Sequence, residues 1–228
     1  MYIDMVLLCA TDWWIFGATL FSGLATAGVA LYIGCQQKKL QQRQLDLEMK
    51  NNLKELNAAL FEVEGRAKMF DSAALGALEA SVLEPGNPYR ERNLQFFEPY
   101  GQFCFNLLQR LGQAEEVAEI YLTDEMKHRM DEVYELITTM GELYNAIGQA
   151  VANHTRELHE KIIVHLEEHK ISEIHLNSEK AAARLEEIVS VDENLKTRYA
   201  DFKNKRNQLF KTNNIRRQLK QLSHNKKK

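Results

Sequence analysis

The sequence predicts an all-α protein: one N-terminal transmembrane helix, then a cytoplasmic long-helix bundle or coiled coil, then a basic C-terminal helix. Three observations predict it. Residues 13–35 form a run of 23 without a charge. Two later stretches repeat apolar residues at alternating intervals of four and three, the period of a packed helical seam. Helix breakers are scarce, since no proline follows Pro99 and no glycine follows Gly148. Three prolines and eleven glycines in 228 residues also exclude a loop-rich all-β fold and a Pro/Gly-rich disordered chain.

The composition, 45% hydrophobic and 27% charged, is that of an average globular protein. The average conceals an apolar end and a basic end. Cys9, Cys35 and Cys104 are odd in number, far apart and without a C-x-x-C pair. That pattern excludes a disulfide scaffold and argues against a cysteine-based zinc site.

Residues 1–12 read as a short extracytoplasmic N-terminus. Residues 13–35 (WWIFGATLFSGLATAGVALYIGC) follow. As a helix they would span about 35 Å, against about 30 Å of bilayer hydrocarbon. Trp13, Trp14 and Tyr32 sit near the ends, where amphipathic rings favour the interface. Asp4 and Asp12 precede the run with no Lys or Arg, whereas Lys38, Lys39 and Arg43 follow it. The positive-inside rule then places the N-terminus outside and the C-terminal domain in the cytoplasm, as a single-pass protein of the plasma or inner membrane. A cleaved signal peptide is not expected, for want of a positive n-region. Ala18, Ser22, Thr26, Ala30 and Gly34 recur at every fourth position, with Gly23 and Ala27 in a row beside them. Small residues let helix backbones approach closely in lipid, so this is the expected packing face.

Residues 36–84 read as the first cytoplasmic helix. Its seam is Met49, Leu53, Leu56, Leu60, Val63, Ala67, Phe70, Ala74 and Ala77. Residues 85–88, Pro-Gly-Asn-Pro, form the turn that ends it. Asn87 is the expected cap of the next helix, with Pro88 at its first position. Residues 89–195 make the bundle domain. Phe96, Phe97, Tyr100, Phe103, Phe105 and Tyr121 are expected to fill its centre, and Pro99 must kink or restart a helix. Thr123 is the expected cap of a long helix with Asp124 and Glu125 in its first turn. That helix carries the second seam: Met126, Met130, Val133, Ile137, Met140, Tyr144, Ile147, Val151, His154 and Leu158. It is expected to run to about residue 174. Gly141 and Gly148 weaken it, and close packing is their expected reason. A further helix begins near Ser178, and residues 190–193 offer a capping box for the last.

The formal charge of −3 hides a dipolar chain. Residues 196–228 hold twelve Lys and Arg against Asp201 alone, net +11, and the remainder carries −14. This basic amphipathic tail includes Lys203, Lys205, Arg206, Arg216, Arg217 and Lys220. It is expected to pack on the acidic body or lie on the anionic inner leaflet. No reading module accompanies the charge, so nucleic acid is not the expected partner.

No P-loop, G-x-G-x-x-G, G-x-S-x-G or H-E-x-x-H string occurs. His165, Glu168 and His169 do fit H-x-x-E-H, which could place two imidazoles on one helix face toward zinc. Five of the seven histidines lie between His154 and His175 among glutamates, which is also the pattern of a solvated face. The expected site set therefore has no catalytic residue, no metal ligand beyond those three candidates and no cofactor. The expected role is structural: an oligomeric scaffold or partner-binding module at the cytoplasmic membrane face. Its partners would be membrane lipid and either a second copy or another membrane protein, with no small-molecule substrate. A membrane-assembly sensor or effector with a pH, metal or lipid input is the alternative class, and a zinc hydrolase the third.

Overall fold

Eighty residues of one helix, α1 (Tyr2–Ser81), open the chain in the computed structural model. The backbone is described for residues 2–153, 156–168, 178–212 and 214–225; side chains are described for the same residues except 2–20, 168, 178, 211–212 and 223–225. All elements among the described residues are helical. The chain divides into two units, residues 1–50 and 51–228.

In the first unit, none of the described side chains of residues 21–48 is buried. Phe21, Leu24, Leu31 and Tyr32 are each at least 65% exposed. Among the described residues, no helix is long and apolar enough to cross a membrane. The expected span at residues 13–35 is described in its side chains only from Phe21. That part makes about 22 Å of helix, short of about 30 Å of hydrocarbon. Ala18, on the expected packing face, lies outside the described side chains. Ser22, Gly23, Thr26, Ala27, Ala30 and Gly34 are exposed, and Thr26 Oγ1 donates to the Ser22 carbonyl at 2.8 Å.

The second unit is a helical bundle. Leu53, Leu56, Leu60 and Val63 are buried along α1, as are Ala67, Phe70, Ala74 and Ala77. A turn follows, with Gly86 at φ 88°, a left-handed conformation that glycine adopts without a Cβ penalty. Asn87 then caps α2 (Pro88–Phe97), its side chain accepting from the Tyr89 N–H at 2.9 Å. Pro99 restarts rather than kinks the helix, because α3 (Tyr100–Ala118) begins directly after it. A short 3-10 turn (Glu119–Tyr121) leads to α4 (Asp124–Asn153). There the Thr123 hydroxyl accepts from the Met126 N–H at 3.3 Å, as the capping pattern requires. In the second seam Met126, Met130, Val133, Ile137 and Met140 are buried and Tyr144 is half-buried. His154 lies outside the described residues. Both seams therefore close inside a single chain.

The C-terminal half is more divided than periodicity suggested. α5 (Arg156–Glu168), α6 (Ser178–Val189), α7 (Glu193–Asn207), a π-helical turn (Gln208–Thr212) and α8 (Ile215–Asn225) succeed one another. The cap of α7 is Asp192, whose Oδ1 accepts from the Asn194 and Leu195 N–H groups. Ser190, the first residue of the expected capping box, instead donates to the Glu187 carbonyl. α4 packs on α3 and α7, and α6 on α5 and α7.

The aromatic centre differs from expectation. Phe97 and Tyr100 are buried, but Phe96 and Phe105 are exposed, and Phe103 and Tyr121 are half-buried. The core is completed from distant helices: Phe70 of α1 meets Tyr100 at 5.3 Å edge-on and Phe202 of α7 at 5.1 Å. Gly101 explains a close approach, because a Cβ there would lie 3.1 Å from the Tyr144 ring. The expected packing reason for Gly148 fails, since nothing lies within 4 Å of its Cβ position; at Gly141 the nearest atom, Cys104 Cβ, is an ordinary 3.8 Å away.

Candidate functional site

The segment Phe70-Asp71-Ser72-Ala73-Ala74-Leu75-Gly76-Ala77-Leu78-Glu79-Ala80 has lost the one-sided pattern of the rest of α1. It is apolar on nearly every side, the mark of a helix surrounded by others. Every residue in it but Ser72 is buried. Its two acids are thereby forced inside, at 1% exposure each. Buried charge requires partners, and each acid recruits them from far along the sequence.

Asp71 Oδ2 receives Arg206 Nη1 at 2.6 Å, and Oδ1 accepts from the Tyr199 hydroxyl at 3.2 Å. Arg206 Nη1 also donates to the Ala67 carbonyl at 3.0 Å. Its guanidinium carbon stands 5.0 Å from the centre of the Phe202 ring. Burial raises the Asp71 carboxyl above its ordinary range; the charge and hydrogen bond of Arg206 pull the other way without cancelling it. Burial, and then the charge of Asp71, also hold the Tyr199 phenol far above its usual range, so it remains a donor.

Asp71 and Arg206 line a cleft of about 450 Å³. α1 contributes Lys68 and Asp71, and α6 contributes Glu179, Ala182, Ala183 and Glu186. α7 and the π-helical turn contribute Lys203, Arg206, Asn207 and Phe210. The small alanines of α6 leave the space open. Lys203 bonds both carboxylate oxygens of Glu186 at 2.7 Å, and Lys68 bonds Glu64 at 2.6 Å. Burial works to raise Glu64, but hydrogen bonds from Lys68 and Arg216 outweigh it and hold the carboxyl low.

The second acid, Glu79, lies 3.1 Å through Oε1 from His165 Nε2 and accepts from the Tyr89 hydroxyl at 3.1 Å through Oε2. Burial leads the causes that push Tyr89 up to about 12. This places the zinc candidates. His165 is 6% exposed and faces Glu79 of α1. The Glu168 side chain and His169 lie outside the described residues. Among the described residues, no three His, Cys, Asp or Glu side chains gather as a metal site needs.

The basic tail is woven into the bundle. Arg206 meets Asp71, and Lys203 meets Glu186. Lys205 meets Asp201 at 3.0 Å and donates to Thr139 Oγ1 at 3.1 Å. Arg216 meets Glu64 at 2.7 Å and stacks over Phe61 at 4.6 Å. Arg217 and Lys220 are exposed on α8.

The sequence placed Lys203 and Arg206 in a basic tail expected to pack on the acidic body or on lipid, but did not show Asp71 and Tyr199 as the partners around Arg206, nor Glu79 as the partner of His165. The legible signal was the all-round apolar segment holding two acids. No family model matches the chain, and neither a curated protein nor a solved structure matches it.

Proposed function

We propose that this chain is a single-pass membrane-anchored helical module that holds a partner at the cytoplasmic membrane face. The observation that carries the reading is the uncovered apolar stretch of α1. From Phe21 to Ile33 its large hydrophobic side chains are 48–77% exposed. Apolar surface left in this state calls for a non-aqueous environment or a partner. The uncharged run beginning at Trp13, with Lys38, Lys39 and Arg43 after it, makes lipid the matching environment.

Both cytoplasmic seams are satisfied inside the chain, which moves the proposed self-association to the small-residue face of the membrane helix. The test is alkaline extraction of membranes containing the full chain, combined with protease access from each side. Retention in the membrane, with the bundle cut only from the cytoplasmic side, is the expected result. Release into the supernatant would end the anchor reading.

A further inference from the structure

The geometry points to the cleft between α1, α6 and α7 as a binding site for a small organic oxyanion, a carboxylate or a phosphate, gripped by Arg206. A guanidinium presents five N–H donors in a fixed fork. Arg206 spends only Nη1 inside the protein, on Asp71 and the Ala67 carbonyl. Among the described residues, Nε and Nη2 have no hydrogen-bond acceptor, and neither belongs to the buried polar atoms without a partner. Both therefore reach solvent, from a side chain that lines the cleft. Asp71 below and the Phe202 ring beside it fix the group, so its remaining edge is held ready for a bidentate acceptor.

Three further features suit such a ligand. Lys203 and Lys68 line the same cleft, and each is bound by a single carboxylate, leaving other ammonium protons to turn toward an anion. Phe210, Ala182 and Ala183 give an apolar wall for the body of an organic acid. Phe210 and Asn207 come from the junction of α7 with the π-helical turn, a rare backbone form that recurs at functional sites. The acids of the cleft restrict the choice without forbidding it. Asp71 and Glu186 are engaged by Arg206 and Lys203. The lining then carries three cations and three acids, so attraction rests on the directed fork rather than on net charge. Glu179, exposed on α6, disfavours a polyanion.

Titration calorimetry of the purified full chain with sodium acetate and with sodium phosphate, at ionic strength held constant with chloride, tests the site. One saturable event per chain is expected, with the stronger of the two anions identifying the source. Arg206→Lys keeps a charge against Asp71 but removes the fork, and should weaken that anion about tenfold or more. Ala183→Glu, at an exposed position in the wall, should abolish binding while circular dichroism remains that of the wild type. If Arg206→Lys fails to fold, Ala183→Glu and Lys68→Gln decide, the latter by a loss of a few-fold. No saturable event with either anion, or binding that survives Ala183→Glu, would overturn the assignment. The inference stands apart from the membrane reading and does not depend on it.

Discussion

Two parts of one helix meet opposite fates. In α1, residues 21–48 carry Leu40, Leu45 and Leu47 at 56–60% exposure, while Leu53, Leu56 and Leu60 are at most 3% exposed. Backbone and helix propensity are shared, so neither accounts for the difference. What differs is company. From Met49 onward the seam residues keep heptad spacing and are buried. Before it, none of the described side chains of residues 21–48 is buried. Helical conformation and burial are thus separate properties, and in a bundle the second supplies most of the stability.

The largest way to break this contrast is to put a charge into the buried seam. Met130 is fully buried on α4, so Met130→Lys should abolish cooperative unfolding of the bundle. A cooperative urea transition near the wild-type midpoint would contradict the packing described. Next, the same deletion in the two regions should give different answers. Leu56→Ala should cost about 2–5 kcal/mol, whereas Leu47→Ala should stay within about 0.5 kcal/mol. Equal midpoint shifts would erase the distinction between them.

A third test compares acids rather than leucines. Asp71 has a raised native pKa, so the folded state binds its proton more tightly than the unfolded chain does. Its ionisation opposes folding, and that opposition lifts as pH falls through the native value. Wild type should therefore gain on Asp71→Asn between pH 7 and about 4. Glu64 behaves oppositely. Its lowered pKa contributes stability above the ordinary glutamate range, which is lost as pH falls through the native value. The Arg216→Gln variant should lose part of that pH dependence. Urea midpoints across the pH range check both signs, and parallel curves for wild type and Asp71→Asn would refute the first.

The smallest expected effect separates a cap from a neighbour. Asp192→Ala removes an acceptor for two helix N–H groups and should cost about 1 kcal/mol. Ser190→Ala, whose hydroxyl only turns back to Glu187, should cost less. Equal losses in thermal unfolding would return the cap to Ser190.

Much of the fold was legible without coordinates. Asn87 and Thr123 announced their helix starts because a cap is a local contract between a side chain and the next few N–H groups. The seams announced themselves because helix periodicity projects the core onto every third or fourth residue. Phe96 and Phe105 misled because they follow no seam: aromatic content alone does not say which face a helix turns inward. The division of residues 193–225 into α7, a π-helical turn and α8 was likewise hidden, since neither Gly nor Pro marks it.

The candidate cleft was largely invisible for a different reason. Asp71, Tyr199 and Arg206 lie up to 135 residues apart, and no local rule links them. The sequence by itself determined the helical class, the caps at Asn87 and Thr123, the apolar seams and the charge opposition between body and tail. These depend on spacing within a few residues or on composition. Only the tertiary structure decided that the seams close within one chain, that Glu79 faces His165, and that the basic tail supplies Arg206 to a buried acid. Such pairings depend on which distant surfaces share the space, where burying a charge demands a partner wherever in the chain it resides.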